Sequence, residues 1–183
     1  MDTFEAIYNR RSIRRYQEKQ VPDEMLNKVL DAARWAPSWA NSQCTRYVVI
    51  KDAATKAKLS ECVNKGNPAT EALKNAPIVI VACAELKKSG YYKDMAVTDR
   101  GDWFMFDVGI AMENLALAAK ALGLGTVHVG LIPDSKKIDE ILGLPEGIVS
   151  VEMTPLGFPA GEAKAPPRKD LVEIVFYEKY GKH

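Results

Sequence analysis

The run Ile78-Val79-Ile80-Val81-Ala82-Cys83 constrains the fold more than any other stretch of this chain. Six apolar residues in a row, four of them β-branched, read as a strand buried on both faces, which belongs inside a sheet covered on each side. The segments around it are helical as often as extended. Asp2-Thr3-Phe4-Glu5 has the spacing of a capping box, so a short helix is expected through Ile7 to near Asn9. Pro22-Asp23-Glu24 opens a second helix with acidic residues in its first turn, and Leu26, Val29, Leu30 and Ala33 keep helical spacing until Pro37 stops it. Tyr47 to Ile50 reads as a strand and Ala53 to Val63 as a helix. From Asp102 to about Leu122 a long helix is expected, in which Phe106, Ile110, Ala111, Leu115, Ala118 and Ala119 make a broad apolar surface. Gly123 and Gly125 end it.

The later segments are Thr126 to Ile132 as a strand or an extended loop, a short helix from Ser135 to Leu142, a strand around Val149 to Met153, and a late strand over Leu171 to Tyr177. Helices and strands are interspersed without regular βαβ alternation, so the fold class is α+β. No G-x-G-x-x-G opens a helix after a strand, and any nucleotide cofactor must be held without that fingerprint. At 183 residues the chain is expected to form one domain spanning 1–183. Residues 85–101, with Lys87-Lys88-Ser89-Gly90-Tyr91-Tyr92, lack periodicity and read equally as a lid or as a surface excursion.

Charge narrows the function classes. Lys plus Arg is 25 and Asp plus Glu is 24, which offers no general attraction for nucleic acid or anionic lipid, and neither is expected as a partner. No apolar run reaches the roughly 20 residues that span a bilayer, and Asp2 and Glu5 stand where a secretory signal would be basic, so a cytoplasmic location is expected. Three widely spaced cysteines and two histidines give no disulfide frame and no metal-ligand set.

Any anion site is therefore local, and Arg10-Arg11-Ser12-Ile13-Arg14-Arg15-Tyr16 is the place for one. Guanidinium groups match phosphate oxygens in pairs. In an extended segment Arg10, Ser12 and Arg14 would share one face, and Arg11, Ile13 and Arg15 the other. Spacing alone fits a solvated charged turn at least as well. The loop Ser38-Trp39-Ala40-Asn41-Ser42-Gln43 offers carboxamides that suit a heteroaromatic ring, or forms an ordinary capped turn. His128 lies in an apolar stretch, where a core or supporting role outweighs acid-base catalysis. Asp107 and Glu113, six apart, do not share a helix face and make no carboxylate pair. With no nucleophile in evidence, the hard chemistry of an enzyme built on this chain would belong to a bound cofactor.

Four stretches together resemble the FMN-dependent nitroreductase superfamily: Arg10 to Arg14, Ala36 to Gln43, Asp107 to Gly125, and Pro167-Arg168-Lys169 before Tyr177 to Tyr180. The resemblance covers nearly the whole chain. It implies a nitroreductase-like fold, a central, mostly antiparallel sheet flanked by helices, in an intertwined homodimer with FMN at the interface. By resemblance Arg10, Arg11, Ser12, Arg14 and Arg168 hold the phosphate and ribityl chain. Pro37, Ser38, Asn41 and Gln43 come from the other subunit, and His128, Val129, Gly130 and Leu131 pass along the ring near N5. It further implies two-electron ping-pong transfer from NAD(P)H to a small electron-poor acceptor such as a nitroaromatic or quinone, with no catalytic side chain. Reductive dehalogenation, flavin cleavage and flavin binding without turnover are the rival functions. The chain departs from the pattern at Cys44, where many members have proline, and at Pro166, where a basic residue is common.

Overall fold

The computed structural model describes residues 1–183. Its framework is a four-stranded sheet in the order β1-β2-β6-β5, formed by β1 (Thr45–Ile50), β2 (Ile78–Glu85), β6 (Ile148–Gly157) and β5 (Gly125–Thr126). Every neighbouring pair is antiparallel, as the resemblance implies. The apolar run lies in β2, whose side chains alternate between two cores. Ile78, Ile80, Ala82 and Ala84 face α2 (Asp23–Arg34) and α5 (Phe104–Ala121), packing on Val29, Met112 and Leu115. Val79, Val81 and Cys83 face the side of α3 (Ala53–Ser60), α4 (Thr70–Asn75) and α6 (Ser135–Leu142), packing with Leu59, Leu73 and Ile138. Helices on both faces are why β2 is buried from Ile78 to Ala84.

The first helix, α1 (Thr3–Asn9), begins on the expected capping box between Asp2 and Glu5. Beyond it the arginine segment is extended and lies along the free edge of β5. Ser12 bridges Thr126 in parallel, Ile13 N–H donates to Thr126 O at 2.8 Å, and Tyr16 bridges Pro159. An otherwise open sheet edge is thereby covered. Gly125 makes the approach close enough: a Cβ there would stand 2.6 Å from Ile13 Cγ1. Residues 85–101 hold a small hairpin of β3 (Tyr91–Tyr92) and β4 (Met95–Ala96). It is tied down by Trp103 N–H to Ser89 O at 3.1 Å and Trp103 Nε1–H to Thr98 Oγ1 at 2.9 Å.

Three expectations are corrected. Leu171 to Tyr177 is no strand and pairs with neither sheet: Leu171–Ile174 forms a short helix, α7, because Asp170 and Glu173 make a capping box. Phe106 does not belong to the buried face of α5; it is 58% exposed and stacks edge-on against Trp103, while its neighbour Asp107 is buried. The helix expected to reach Val63 ends at Ser60, and a further helix, α4, follows.

Candidate functional site

Two cavities flank α5. The larger, about 540 Å³, is bordered by Arg10 and Arg11 after α1, Lys120 on α5, the turn Gly123 to Thr126, and Pro159, Gly161, Glu162 and Ala163 beyond β6. Its volume lies within the roughly 300–1,000 Å³ usual for ligand sites. Arg11 folds back so that Nη1 donates to the carbonyls of Tyr8 at 2.8 Å and Arg10 at 2.7 Å, neutralising the C-terminal end of α1. Arg10 Nε pairs with Glu113 Oε1 at 3.3 Å. Arg10, Arg11 and Lys120 stand with Glu5 and Glu162 around this space, so cations are concentrated here although the chain as a whole is nearly neutral.

The expected division of the arginine cluster into two faces does not hold. Arg10, Arg11 and Ile13 border the cavity, whereas Ser12 and Arg14 do not. The cause is the β5 edge: Ile13 must seat on Gly125, and Arg11 must turn to reach the helix carbonyls. Arg168 is exposed and donates only to the carbonyls of Pro166 and Pro167, at 3.2 and 3.3 Å; within one chain it is not brought to the Arg10 cavity.

The smaller cavity, about 160 Å³, is bordered by Pro37, Ser38, Gln43, Arg46, Tyr47 and Asp107, among others. Its loop is held in a strained backbone, with φ positive at Ala40 (44°), Asn41 (55°) and Gln43 (47°). Such geometry persists only when its surroundings fix it, and Asp107 does so. That carboxylate, 1% exposed, accepts from Trp39 N–H at 3.0 Å, Ser42 Oγ–H at 3.0 Å and Cys44 Sγ at 3.5 Å. Ser38 Oγ accepts from Gln43 N–H at 2.9 Å, and Arg46 Nη1 donates to Gln43 O at 2.7 Å. Burial, with Asp107 beside it, pushes the Cys44 thiol up to about 11. The Tyr47 hydroxyl is buried without a partner, and burial pushes it up to about 12.

The segment after β5 divides residue by residue. Val129 has its side chain in the core, and its N–H and C=O both bond Met153. Gly130 faces open space, with no atom within 4 Å of an added Cβ, and Leu131 is exposed. His128 lies between two carboxylates, Nδ1 at 3.0 Å from Glu152 Oε1 and Nε2 at 3.5 Å from Glu113 Oε2. Together they push the imidazolium up to about 9 against the opposing effect of burial. Glu113 is correspondingly lowered, first by His128 and also by Arg10.

Sequence reasoning missed Asp107, Glu113, Glu152, Lys120 and Tyr47 as members of these sites. Asp107 had a signal: a carboxylate between Phe106 and Val108, at a core position of an apolar helix. Asp107 and Glu113 do point apart, by roughly 9 Å along the axis and about 120° around it. Each serves a different cavity.

The profile of the Nitroreductase family matches residues 7–72 and 63–158. A provisionally named NADH dehydrogenase/NAD(P)H nitroreductase of Archaeoglobus fulgidus is 39% identical over 164 residues, covering 88% of this chain and 87% of the relative. An FMN reductase [NAD(P)H] of Bacillus subtilis is 28% identical over 193 residues, covering 98% of this chain and 74% of the relative. Among solved structures, an FMN-dependent nitroreductase of Clostridium difficile superposes with a TM-score of 0.80 at 28% identity, covering 97% of this chain and 100% of the other.

Proposed function

The chain belongs to the nitroreductase family and is an FMN-dependent NAD(P)H oxidoreductase, and on that basis we propose that it works as a homodimer passing two electrons in ping-pong fashion to a nitroaromatic, quinone or similar electron-poor acceptor. The observation that carries this reading is the separation of two complementary half-sites across α5. One offers Arg10, Arg11 and Lys120; the other offers Ser38, Gln43 and the unpartnered Tyr47 hydroxyl. A single molecule of FMN has a dianionic end and a heteroaromatic end, and two copies of the chain would bring one half-site of each kind to it.

The residues fit that group. Arg10 keeps its terminal nitrogens for phosphate because Glu113 engages Nε. Arg11 adds charge while anchored to α1. Asn41 and Gln43, in the loop that Asp107 fixes, present carboxamides that can both donate to and accept from a ring edge. The open space at Gly130 leaves room for a flat ligand against bare backbone. Bound FMN supplies hydride chemistry at N5, between the nicotinamide and the acceptor. No side chain is needed as the reacting group, and stacking in the cavity does the positioning.

The test is to load the purified protein with FMN, determine its mass in solution by light scattering, and add NADH or NADPH without oxygen. A dimer whose flavin colour bleaches within minutes, and returns on adding a nitroaromatic or quinone, is expected. A flavin-loaded protein that neither nucleotide bleaches sinks the reductase reading, and a flavin-loaded monomer sinks the shared site. A halogenated aromatic in the same acceptor panel separates the dehalogenase reading.

A further inference from the structure

Arg10, Glu113, His128 and Glu152 form one continuous line of charge that begins at the larger cavity. Arg10 Nε is 3.3 Å from Glu113 Oε1, His128 Nε2 is 3.5 Å from Glu113 Oε2, and His128 Nδ1 is 3.0 Å from Glu152 Oε1. Thr154 Oγ1 donates to the same Glu152 oxygen at 3.3 Å. The four charged residues come from four parts of the chain: the end of α1, the middle of α5, the segment after β5, and β6. In β6 the register against β2 shifts immediately before Glu152, so a bulge adjoins this residue. The titratable groups facing the ring are Glu113 from α5 and Glu152 from β6, and Arg10 acts on it through Glu113.

The chemistry of the ring follows from its partners. A neutral imidazole has one N–H and one acceptor nitrogen, whereas both nitrogens of His128 face acceptor-only carboxylates. Only the imidazolium satisfies both. With it the four residues sum to zero charge, two cations against two carboxylates. Without its proton they sum to minus one, next to a cavity whose other cations are Arg11 and Lys120.

We propose that His128 is a positioning residue for anion binding: as an imidazolium it holds Glu113 in the place that orients the Arg10 guanidinium, so that its proton and a phosphate in the cavity stabilise each other. This rests on the FMN reading of that cavity. It assigns His128 a role through Glu113 and Arg10 rather than through contact with the flavin ring. By thermodynamic reciprocity, a phosphate that binds better to the protonated form must raise the affinity of His128 for its proton.

The experiment measures FMN and riboflavin dissociation constants by fluorescence titration of flavin-free protein from pH 7 to 10, for the wild type, H128Q and H128K. The wild type is expected to lose about tenfold in FMN affinity as pH rises through the titration of His128, within the span usual for coupled sites. H128Q should already be weaker by about that factor at pH 7 and should lack this fall. H128K should restore the pH 7 affinity, and riboflavin, having no phosphate, should bind all three alike. Proton NMR of the wild type gives a reading that needs no variant to fold. The chain has two histidines, and the His128 ring should titrate well above the ordinary range and move higher on adding FMN. Wild type and H128Q holding FMN with the same affinity across this range would overturn the inference while leaving the FMN reading intact, and so would a His128 ring that titrates in the ordinary range. A protein that binds neither flavin overturns both.

Discussion

Replacing Gly125 by alanine adds a single methyl group at the point where the arginine segment meets the sheet. Its Cβ would stand 2.6 Å from Ile13 Cγ1, 2.7 Å from Ile13 Cβ and 2.9 Å from Ile13 Cγ2. Carbon atoms pack at about 3.5–4.0 Å, so roughly 1 Å of separation is missing. Rotating Ile13 cannot supply it, because one of the clashing atoms is the Cβ fixed to the backbone. The segment itself must move, yet it is held by Ile13 N–H to Thr126 O at 2.8 Å, Gln17 N–H to Phe158 O at 2.9 Å and Ala160 N–H to Arg15 O at 3.0 Å. The Tyr16 hydroxyl adds contacts of 2.7 Å to Ile13 O and 3.2 Å to Pro155 O. Overpacking of this kind costs about 1–3 kcal/mol. In a chain of this size that is a drop in Tm of roughly 3–10 °C. Gly125 has no positive φ, so alanine meets no backbone strain there and the loss reports the close approach alone. Arg10 and Arg11 belong to the displaced segment, so FMN affinity should fall with Tm. Circular dichroism melts and FMN titrations of G125A, I13G and the double variant form the assay. The double variant should lose less than the sum of the singles, because I13G removes the clashing atoms. A G125A protein that melts within about 1 °C of wild type and binds FMN equally well would refute the reasoning.

Two other perturbations test the second cavity and its surroundings. Asp107→Ala leaves Trp39 N–H and Ser42 Oγ–H without an acceptor and frees the strained Ala40 to Gln43 turn. It should cost about 2–4 kcal/mol in urea unfolding, with part recovered in Asp107→Asn; a fully stable D107A would show that the carboxylate does not anchor the loop. All three cysteines are buried, and burial pushes Cys44 up to about 11 and Cys83 up to about 12, with Cys62 raised as well. At pH 8 none should react with an aromatic disulfide reagent over minutes in the native protein, and all three should react in guanidinium. One fast native thiol would contradict this packing.

The sequence by itself determined what depends on neighbours a few residues away. The Asp2 and Glu5 capping box, the Pro22 start of α2 and the Gly123 end of α5 are local signals, because each satisfies backbone groups within about a turn of helix. The apolar run of β2 was equally legible, since burial on both faces needs no particular partner. Where two local patterns competed, the more evident one misled: alternation over Leu171 to Tyr177 suggested a strand, but Asp170 and Glu173 held the capping box that makes a helix. Tertiary structure alone decided which side chains meet. Asp107 reaches Trp39 across 68 positions, and Arg10 reaches Glu113 only because the segment after α1 runs along β5 beside α5. His128 is drawn toward the imidazolium because a helix and a bulged strand each deliver a carboxylate to it. Charge pairing falls off over a few ångströms, so its partners are set by where the folded chain returns. Sequence spacing carries that information only within a single helix or strand.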